Sequence, residues 1–367
     1  MKKKLVYISS IAAPHQLRLS EHLQQYFDTE FWFYDYLGSR PLWWKLELPP
    51  HCKVMNHSYF KTTGRYLSFE LNQRLKAFQP DIVMLGGFFI PSNYFAYRWA
   101  KKHSKKVIVF TETFRKNGKL RDKNIWSIVL DRLYKDVDSV FTCHQDATDQ
   151  MRRLLPTLGK RTYTAQYAAD IDRYFQHPIR EKKPAYTYLF PNRLIDIYNP
   201  LLAIDIFAEI QKIYPESILR INMQGELLPE CQNFIKRLGL ENNIQFLSDI
   251  KHWDDLSEVY KTSDILLFPA KFSNGNFTIL ESMASGMGII VSNRIYGQTS
   301  LIKNGENGYL CDPDKKQFLH AVWQYINSPE RFKKHVAINR TIVQPLSGAG
   351  TAELYAKLIN QKVLAEI

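Results

Sequence analysis

Two α/β domains, each a doubly wound parallel sheet, are what this sequence predicts. Three observations carry the prediction. Short β-branched and aromatic runs alternate with helical patterns along the chain, as in strand–helix–strand units. Several of these runs are continuously apolar, which suits parallel strands covered on both faces. The length of 367 residues suits two domains, or three, and a composition with 45% hydrophobic and 23% charged residues fills ordinary packed cores.

The elements follow in order. The N-terminus, "MKKKLVYISSIAAPH", reads as a first buried strand, "LVYISS" (5–10), entering the polar helix "QLRLSEHLQQYF". A basic start before an apolar run also fits a signal peptide, but the run is short and the helix follows at once. Further strands are expected at "EFWFYD" (30–35), "DIVMLG" (81–86), "KVIVFT" (106–111), "SVFTC" (139–143) and "TYTAQY" (162–167). The polar segment "DIDRYFQHPIREKKPAY" (170–186) breaks the alternation and places a domain boundary near residue 178. The second half supplies "YTYLFP" (186–191), "ILRINM" (218–223), "IQFL" (244–247), "DILLFP" (264–269) and "GIIVS" (288–292). Helical stretches such as "YFAYRWAKKHSKK" and "PLLAIDIFAEIQKIY" lie between. A ligand is expected in the cleft between the two domains, at strand ends where strand order reverses.

Composition removes several classes. Cys52, Cys143, Cys231 and Cys311 are widely spaced with no C-x-x-C pair, which argues against a zinc site or disulfide scaffold and fits a reducing compartment. No run reaches the roughly 18 apolar residues of a membrane span. "DIVMLGGFFIPSNYFAYRWA" comes nearest and is interrupted by Asp81, Ser92, Asn93 and Arg98. Residues 1–180 carry 29 Lys and Arg against 16 Asp and Glu, while the remainder carries 20 of each, so the whole net charge of +13 lies in the first half. An anionic partner follows: nucleic acid, acidic substrate or membrane surface. Nucleic acid is set aside, because no helix-turn-helix or RNP motif is present.

The stretch "FPAKFSNGNFTILESMASGMGIIVSN" (268–293) holds one acid, Glu281, in a strand–loop–helix–Gly–strand pattern. A buried carboxylate is costly unless paired. Ser273, Asn274, Gly275 and Asn276 form the turn, and a helix is expected from about Asn276, with Gly286 past its end. A helix opening at a strand end suits a diphosphate. Glu281, one turn in, either accepts from the hydroxyls of a ribose or pairs with an Arg or backbone N–H of the fold.

This stretch resembles the signature of retaining nucleotide-sugar glycosyltransferases of family 4, with the GT-B fold. Glu281, Met283, Ala284 and Gly286 match the family's pattern in step. "FPNRLIDIYNPLLAIDIF" resembles its Gly-Arg-Leu segment and puts Arg193 at the phosphate-binding arginine. "RLGLENNIQFLSDIKHWDDLSEVYKTSDILLFPA", "LIKNGENGYLCDP", "YAADIDRYF" and "DSVFTCHQDATDQM" extend the resemblance over residues 138–315, with weaker coverage before. The resemblance implies a GT-B protein of two Rossmann-like domains facing an interdomain cleft. Residues 1–177 bind the acceptor, 178–345 bind the nucleotide sugar, and a closing helix in 346–367 returns to the first domain. It implies that Glu281 holds the ribose. The donor set around it is Ser273, Asn274, Gly275, Asn276, Phe277, Arg193, Tyr198, Gly225 and Ile250. Three departures stand out. Ser273 replaces the first Glu of the family's pair, which handles the donor sugar. Tyr198 replaces a lysine, and Met223 the first glycine of the Gly-Asp-Gly loop, leaving Gly225.

Glycosyl transfer needs a neutralised leaving diphosphate, a positioned acceptor hydroxyl and a fate for its proton. Arg193 offers a planar charge suited to phosphate. No Asp-x-Asp motif sits at a suitable strand end, so neither metal nor cofactor is expected beyond the nucleotide-sugar co-substrate. For the acceptor, Glu112 follows a strong strand, and is otherwise a loop acid beside Arg115 and Lys116. His15 and Gln16 lie at the first strand-to-helix turn, where a solvated histidine is the plainer reading. Gly86 and Gly87 end a third strand and either approach a ligand or form a turn. The expected function is sugar transfer to a glycan or lipid-linked acceptor in cell-surface polysaccharide assembly. The expected place is the cytoplasm, on the inner face of the plasma membrane. Basic segments "RWAKKHSKK", "FRKNGKLRDK" and "MRRLLPTLGKR" and the aromatics of "SRPLWWKLELPP" suit an anionic membrane surface. A non-catalytic GT-B protein that binds nucleotide or glycan for a partner enzyme is the alternative.

Overall fold

Contacts divide the chain into two units: Met1–Asp170 with Pro345–Ile367, and Ile171–Gln344. The computed structural model describes residues 1–38, 40–56, 58–60, 64–116, 119–179, 185–274 and 277–365.

In chain order the first unit holds strands β1 (Lys4–Ile11), β2 (Asp28–Asp35), β3 (Cys52–Val54), β4 (Ser58–Tyr59), β5 (Leu67–Ser68), β6 (Ile82–Gly86), β7 (Lys106–Thr111), β8 (Arg115–Lys116), β9 (Lys119–Leu120), β10 (Ser139–Thr142) and β11 (Thr162–Thr164). Seven of them form one parallel sheet in the order β11-β10-β7-β6-β1-β2-β3, while β4–β5 and β8–β9 are small antiparallel pairs. Its helices are α1 (Pro14–Leu23), α2 (Leu71–Phe78), α3 (Pro91–Lys102), α4 (Ile125–Leu133), α5 (Gln145–Leu154) and α6 (Pro156–Gly159). The second unit holds β12 (Thr187–Phe190), β13 (Ile218–Ile221), β14 (Ile244–Phe246), β15 (Ile265–Phe268), β16 (Ser273–Asn274), β17 (Gly288–Ser292), β18 (Ile295–Tyr296) and β19 (Tyr309–Cys311). Six of these make a parallel sheet ordered β14-β13-β12-β15-β17-β19, and β16 pairs with β18. Around it lie α7 (Pro200–Ile213), α8 (Leu228–Leu238), α9 (Asp255–Lys261), α10 (Phe277–Ser285), α11 (Lys315–Ile326) and α12 (Pro329–Val343). The last long helix, α13 (Gly348–Ile359), belongs to the first unit.

The continuously apolar runs have a direct cause. Val6, Ile8, Val83, Leu85, Val107 and Val109 enter one core of the first unit. Their strand neighbours Leu5, Tyr7, Ile82, Met84, Ile108 and Phe110 enter the other, which α13 completes with Tyr355 and Ile359. Alternation points successive side chains to opposite faces, so burying both leaves no polar position. Each such side chain contributes roughly 1.5–3 kcal/mol. Helix α13 closes tightly on α1: a β-carbon at Gly348 would lie 2.7 Å from His22 Cδ2.

Both sheets begin in the middle. From β1 the chain winds through β2 and β3 to one edge, then returns to β6 on the other side of β1. From β12 it winds through β13 and β14, then returns to β15. The strand order therefore reverses at β1/β6 and at β12/β15, where open sheets place ligands.

All eleven expected strands form, although that at "TYTAQY" stops at Thr164. The edge strands β3 and β19, three residues each, were not among those expected: a lysine interrupts "CKV", and "YLC" follows directly on a Gly/Asn-rich turn. The units divide at Asp170 rather than near 178, because the polar segment after it is built into the second unit. Tyr174 is fully buried there, and His177 contacts Ser285 Oγ at 2.7 Å and Ser257 Oγ at 2.9 Å. The expected surface aromatics Trp43 and Trp44 are half-buried, with the Arg40 guanidinium 5.2 Å from the Trp44 ring.

Candidate functional site

In the second unit, two strand-end loops interlock at the β12/β15 reversal. The Lys271 and Phe272 amides donate to Ile197 O at 2.9 and 3.3 Å. Asn199, in the left-handed region, donates through Nδ2 to Pro269 O at 3.2 Å. Tyr198 sets its ring 5.6 Å from Phe268, and Lys271 pairs with Asp196 at 2.5 Å. Asn192 Nδ2 donates to Thr278 Oγ1 in the first turn of α10 at 3.5 Å, while Asn192 Oδ1 is buried without a hydrogen-bond partner. Arg193 follows directly. It is exposed, and its side chain makes no hydrogen bond or ion pair among the described residues. A side chain of that type, left uncommitted at a switch point, suits an incoming anion.

The β13 loop braces this arrangement from below. Gly225 has φ +141°, and a β-carbon there would lie 2.3 Å from Leu194 O and 2.6 Å from Leu194 N. The Leu194 amide donates to Gln224 O at 2.7 Å, and Leu227 N–H donates back to Leu194 O at 2.9 Å. Only glycine lets the two loops approach so closely. The backbone that carries Arg193 is thus held from the neighbouring strand end.

Glu281 lies on α10 and is 6% exposed. It is paired within the fold, but not in the way expected: the Tyr260 phenol on α9 donates to Glu281 Oε2 at 2.5 Å. Tyr260 is itself buried against the Tyr174 ring, 5.2 Å away and nearly perpendicular. Burial, then the Glu281 carboxylate, pushes the Tyr260 phenol well above its usual range. It therefore stays a donor. At the far end of α10, Met287 N–H returns to Ser282 O at 3.0 Å and Gly286 N–H to Met283 O at 3.3 Å. With Gly286 at φ +80°, that is a Schellman ending.

The other donor residues are placed as follows. Ser273 is buried, donates its amide to Arg294 O at 3.2 Å and pairs with Ile295; Asn274 pairs with Tyr296. Phe277 opens α10 and is half-buried, as is Ile250 beyond β14. Gly275 and Asn276 lie outside the described residues.

The acceptor candidates gather at the strand ends of the first unit. His15 sits at the start of α1, half-buried, with its ring 5.3 Å from Tyr167. Burial, then the Arg40 charge, holds its imidazole well below the usual histidine range. Tyr167 donates to Glu112 Oε1 at 2.5 Å, so Glu112 and His15 flank one phenol. Burial, then Glu112, raises that phenol well above its ordinary value. Gln16 is buried and donates to Ser9 Oγ at 2.8 Å. Gly86 and Gly87 form a turn whose carbonyls accept from Asn93 Nδ2 at 3.2 and 2.8 Å, and Asn93 in turn receives Tyr34 at 2.9 Å. Sequence reasoning missed Asn192, Tyr260, Tyr167 and Asn93. Each sits in an ordinary helical or loop context, and only Asn192, beside Arg193 in "FPNRL", offered a positional signal.

Among the described residues no helix is long and apolar enough to cross a membrane, and no group of three or more His, Cys, Asp or Glu could hold a metal ion. The profile of the family described as glycosyl transferases group 1 matches residues 172–341, nearly the whole second unit. An uncharacterized glycosyltransferase of Haemophilus influenzae is 28% identical over 128 residues, 35% of each chain. The UDP-N-acetylglucosamine–peptide N-acetylglucosaminyltransferase GtfA subunit of Streptococcus agalactiae is 25% identical over 243 residues, 62% of this chain and 47% of that protein. The chain thus spans less than half the length of these relatives. Anabaena Alr3699/HepE, solved in complex with UDP, superposes with a TM-score of 0.72 over 97% of this chain and 99% of that one, at 13% identity. That likeness establishes the fold, a GT-B pair of Rossmann-like units.

Proposed function

We propose, because residues 172–341 belong to the glycosyl transferases group 1 family, that this chain transfers a sugar from a nucleoside-diphosphate sugar to a hydroxyl with retention at the anomeric carbon. The acceptor is a glycan or a lipid-linked glycan of a surface polysaccharide. The observation that carries the reading is the uncommitted Arg193 at the β12/β15 reversal, tied through Asn192 and Thr278 to the helix that bears Glu281.

In this reading the second unit holds the donor. The Arg193 guanidinium meets the diphosphate and neutralises the charge that grows as the anomeric C–O bond breaks. Glu281 accepts from the ribose hydroxyls. The Tyr260 phenol donates to its Oε2 and fixes the orientation of the carboxylate. The first unit holds the acceptor hydroxyl. Its oxygen bonds the anomeric carbon, and its proton passes to Glu112, which Tyr167 holds with His15 on the other side of the phenol ring. The nucleoside diphosphate leaves. Arginine and the helix start supply the countercharge, so the reading needs no metal ion.

Incubation of the purified chain with a panel of nucleotide sugars tests this. Release of nucleoside diphosphate from one donor is the expected result, unchanged by EDTA. Tight nucleoside-diphosphate binding with no release, alone or with glycan acceptors, would replace it with a binding role.

A further inference from the structure

Helix α4 turns Ser127 and Asp131 inward. Asn124 and Ser127 close a capping box, and Ser127 is buried. Asp131, also buried, accepts the backbone N–H groups of Thr157 and Leu158, both at 3.0 Å, and so caps α6. Leu130 and Tyr134 complete the inner face. The outer face carries Ile125, Trp126, Val129 and Leu133, with Ile125 and Trp126 67% and 71% exposed. Nearby Phe89 is also exposed; its ring packs on Phe114, which shares Phe88 with Tyr134. A surface helix ordinarily has the reverse arrangement. Exposed contiguous apolar surface of this kind marks an interaction site.

The charge around it names the partner. Much of the basic excess of the first half is consumed locally. Lys101 and Lys106 share Asp138, Arg153 meets Asp122, and Arg161 donates to the Val137 and Lys135 carbonyls. Lys123, Arg132 and Lys135, on or beside α4, are exposed and make no ion pair or side-chain hydrogen bond among the described residues. An apolar stripe with a tryptophan, edged by uncommitted cations, fits an anionic lipid surface. A second copy of the chain fits poorly, because symmetric pairing would set these cations against themselves.

We propose that the outer face of α4 docks on an anionic bilayer surface, with Trp126 and Ile125 in the headgroup boundary and Lys123, Arg132 and Lys135 on lipid phosphates. The proposal rests on the first unit alone and does not depend on sugar transfer. Flotation of the full chain with phosphatidylcholine vesicles, with and without phosphatidylglycerol, tests it. Binding is expected only with the anionic lipid, and high salt removes it. Trp126→Ser lowers vesicle affinity about tenfold, and Lys123→Glu at least about fivefold. Nucleoside-diphosphate affinity and melting temperature stay at wild-type values in both variants, since both side chains are exposed. Failure to float with anionic vesicles at low salt overturns the proposal. So does equal flotation by the Trp126→Ser/Val129→Ser variant. A dimer seen by light scattering and abolished by that double variant, without vesicle binding, gives the face to a second copy instead and also overturns it.

Discussion

The Tyr260 phenol and the Glu281 carboxylate join helices α9 and α10 through a 2.5 Å hydrogen bond. Both groups are buried, and the donor stays protonated across the accessible pH range. The bond fixes the orientation of the carboxylate. Tyr260→Phe removes the hydroxyl and keeps the ring that packs on Tyr174. The dissociation constant for the nucleoside diphosphate rises about tenfold, the equivalent of about 1.4 kcal/mol. Glu281→Ala raises it further. Titration calorimetry measures both; an unchanged constant in either variant removes that residue from ligand binding.

Arg193 is exposed and uncommitted, so Arg193→Ala leaves the fold intact. Turnover falls about a hundredfold, since the arginine acts chiefly on charge that develops as the diphosphate departs. Arg193→Lys recovers part of the loss, because it restores charge but not the planar fork. Steady-state kinetics with the active donor decide this; wild-type turnover in Arg193→Ala excludes the residue from the reaction.

Gly225→Ala places a methyl group against the Leu194 carbonyl in a conformation that disfavours any side chain. Urea unfolding shows a loss of about 2 kcal/mol or more. The same variant weakens nucleotide binding, since the displaced segment carries Arg193. A midpoint equal to wild type would show that the two loops are free to separate.

His15 stays neutral where free histidine titrates. Its folded-state pKa is depressed, so between that value and about 6.5 the unfolded chain binds the extra proton. Stability therefore falls as pH drops below about 6.5, and His15→Gln flattens that part of the profile. Partial exposure keeps the effect modest. Melting temperatures from pH 7.5 to 4.5 record it, and identical slopes in both proteins would refute it.

How much was legible in the sequence follows from where each signal lies. The apolar runs Leu5–Ile8, Val107–Phe110 and Ile265–Phe268 were readable because burial on both sheet faces leaves no polar position in them. Gly286 was readable because a helix ending in the left-handed region selects glycine; Glu281 was singled out as the one acid of an otherwise apolar stretch, and Arg193 only through resemblance to a family pattern. The short edge strands β3 and β19 were not, since Lys53 interrupts the one and a Gly/Asn-rich turn runs straight into the other. Nor was the division at Asp170, because a polar segment looks like a linker until its tyrosine and histidine find partners. The sequence alone determined two doubly wound units and the positions of the candidate ligand groups, because hydrophobic period and turn chemistry are local properties. Only the tertiary structure decided that Glu281 answers to Tyr260, that Gly225 braces Leu194, and that α4 turns Ile125 and Trp126 outward. Those depend on distances between residues far apart in the chain, which packing alone sets.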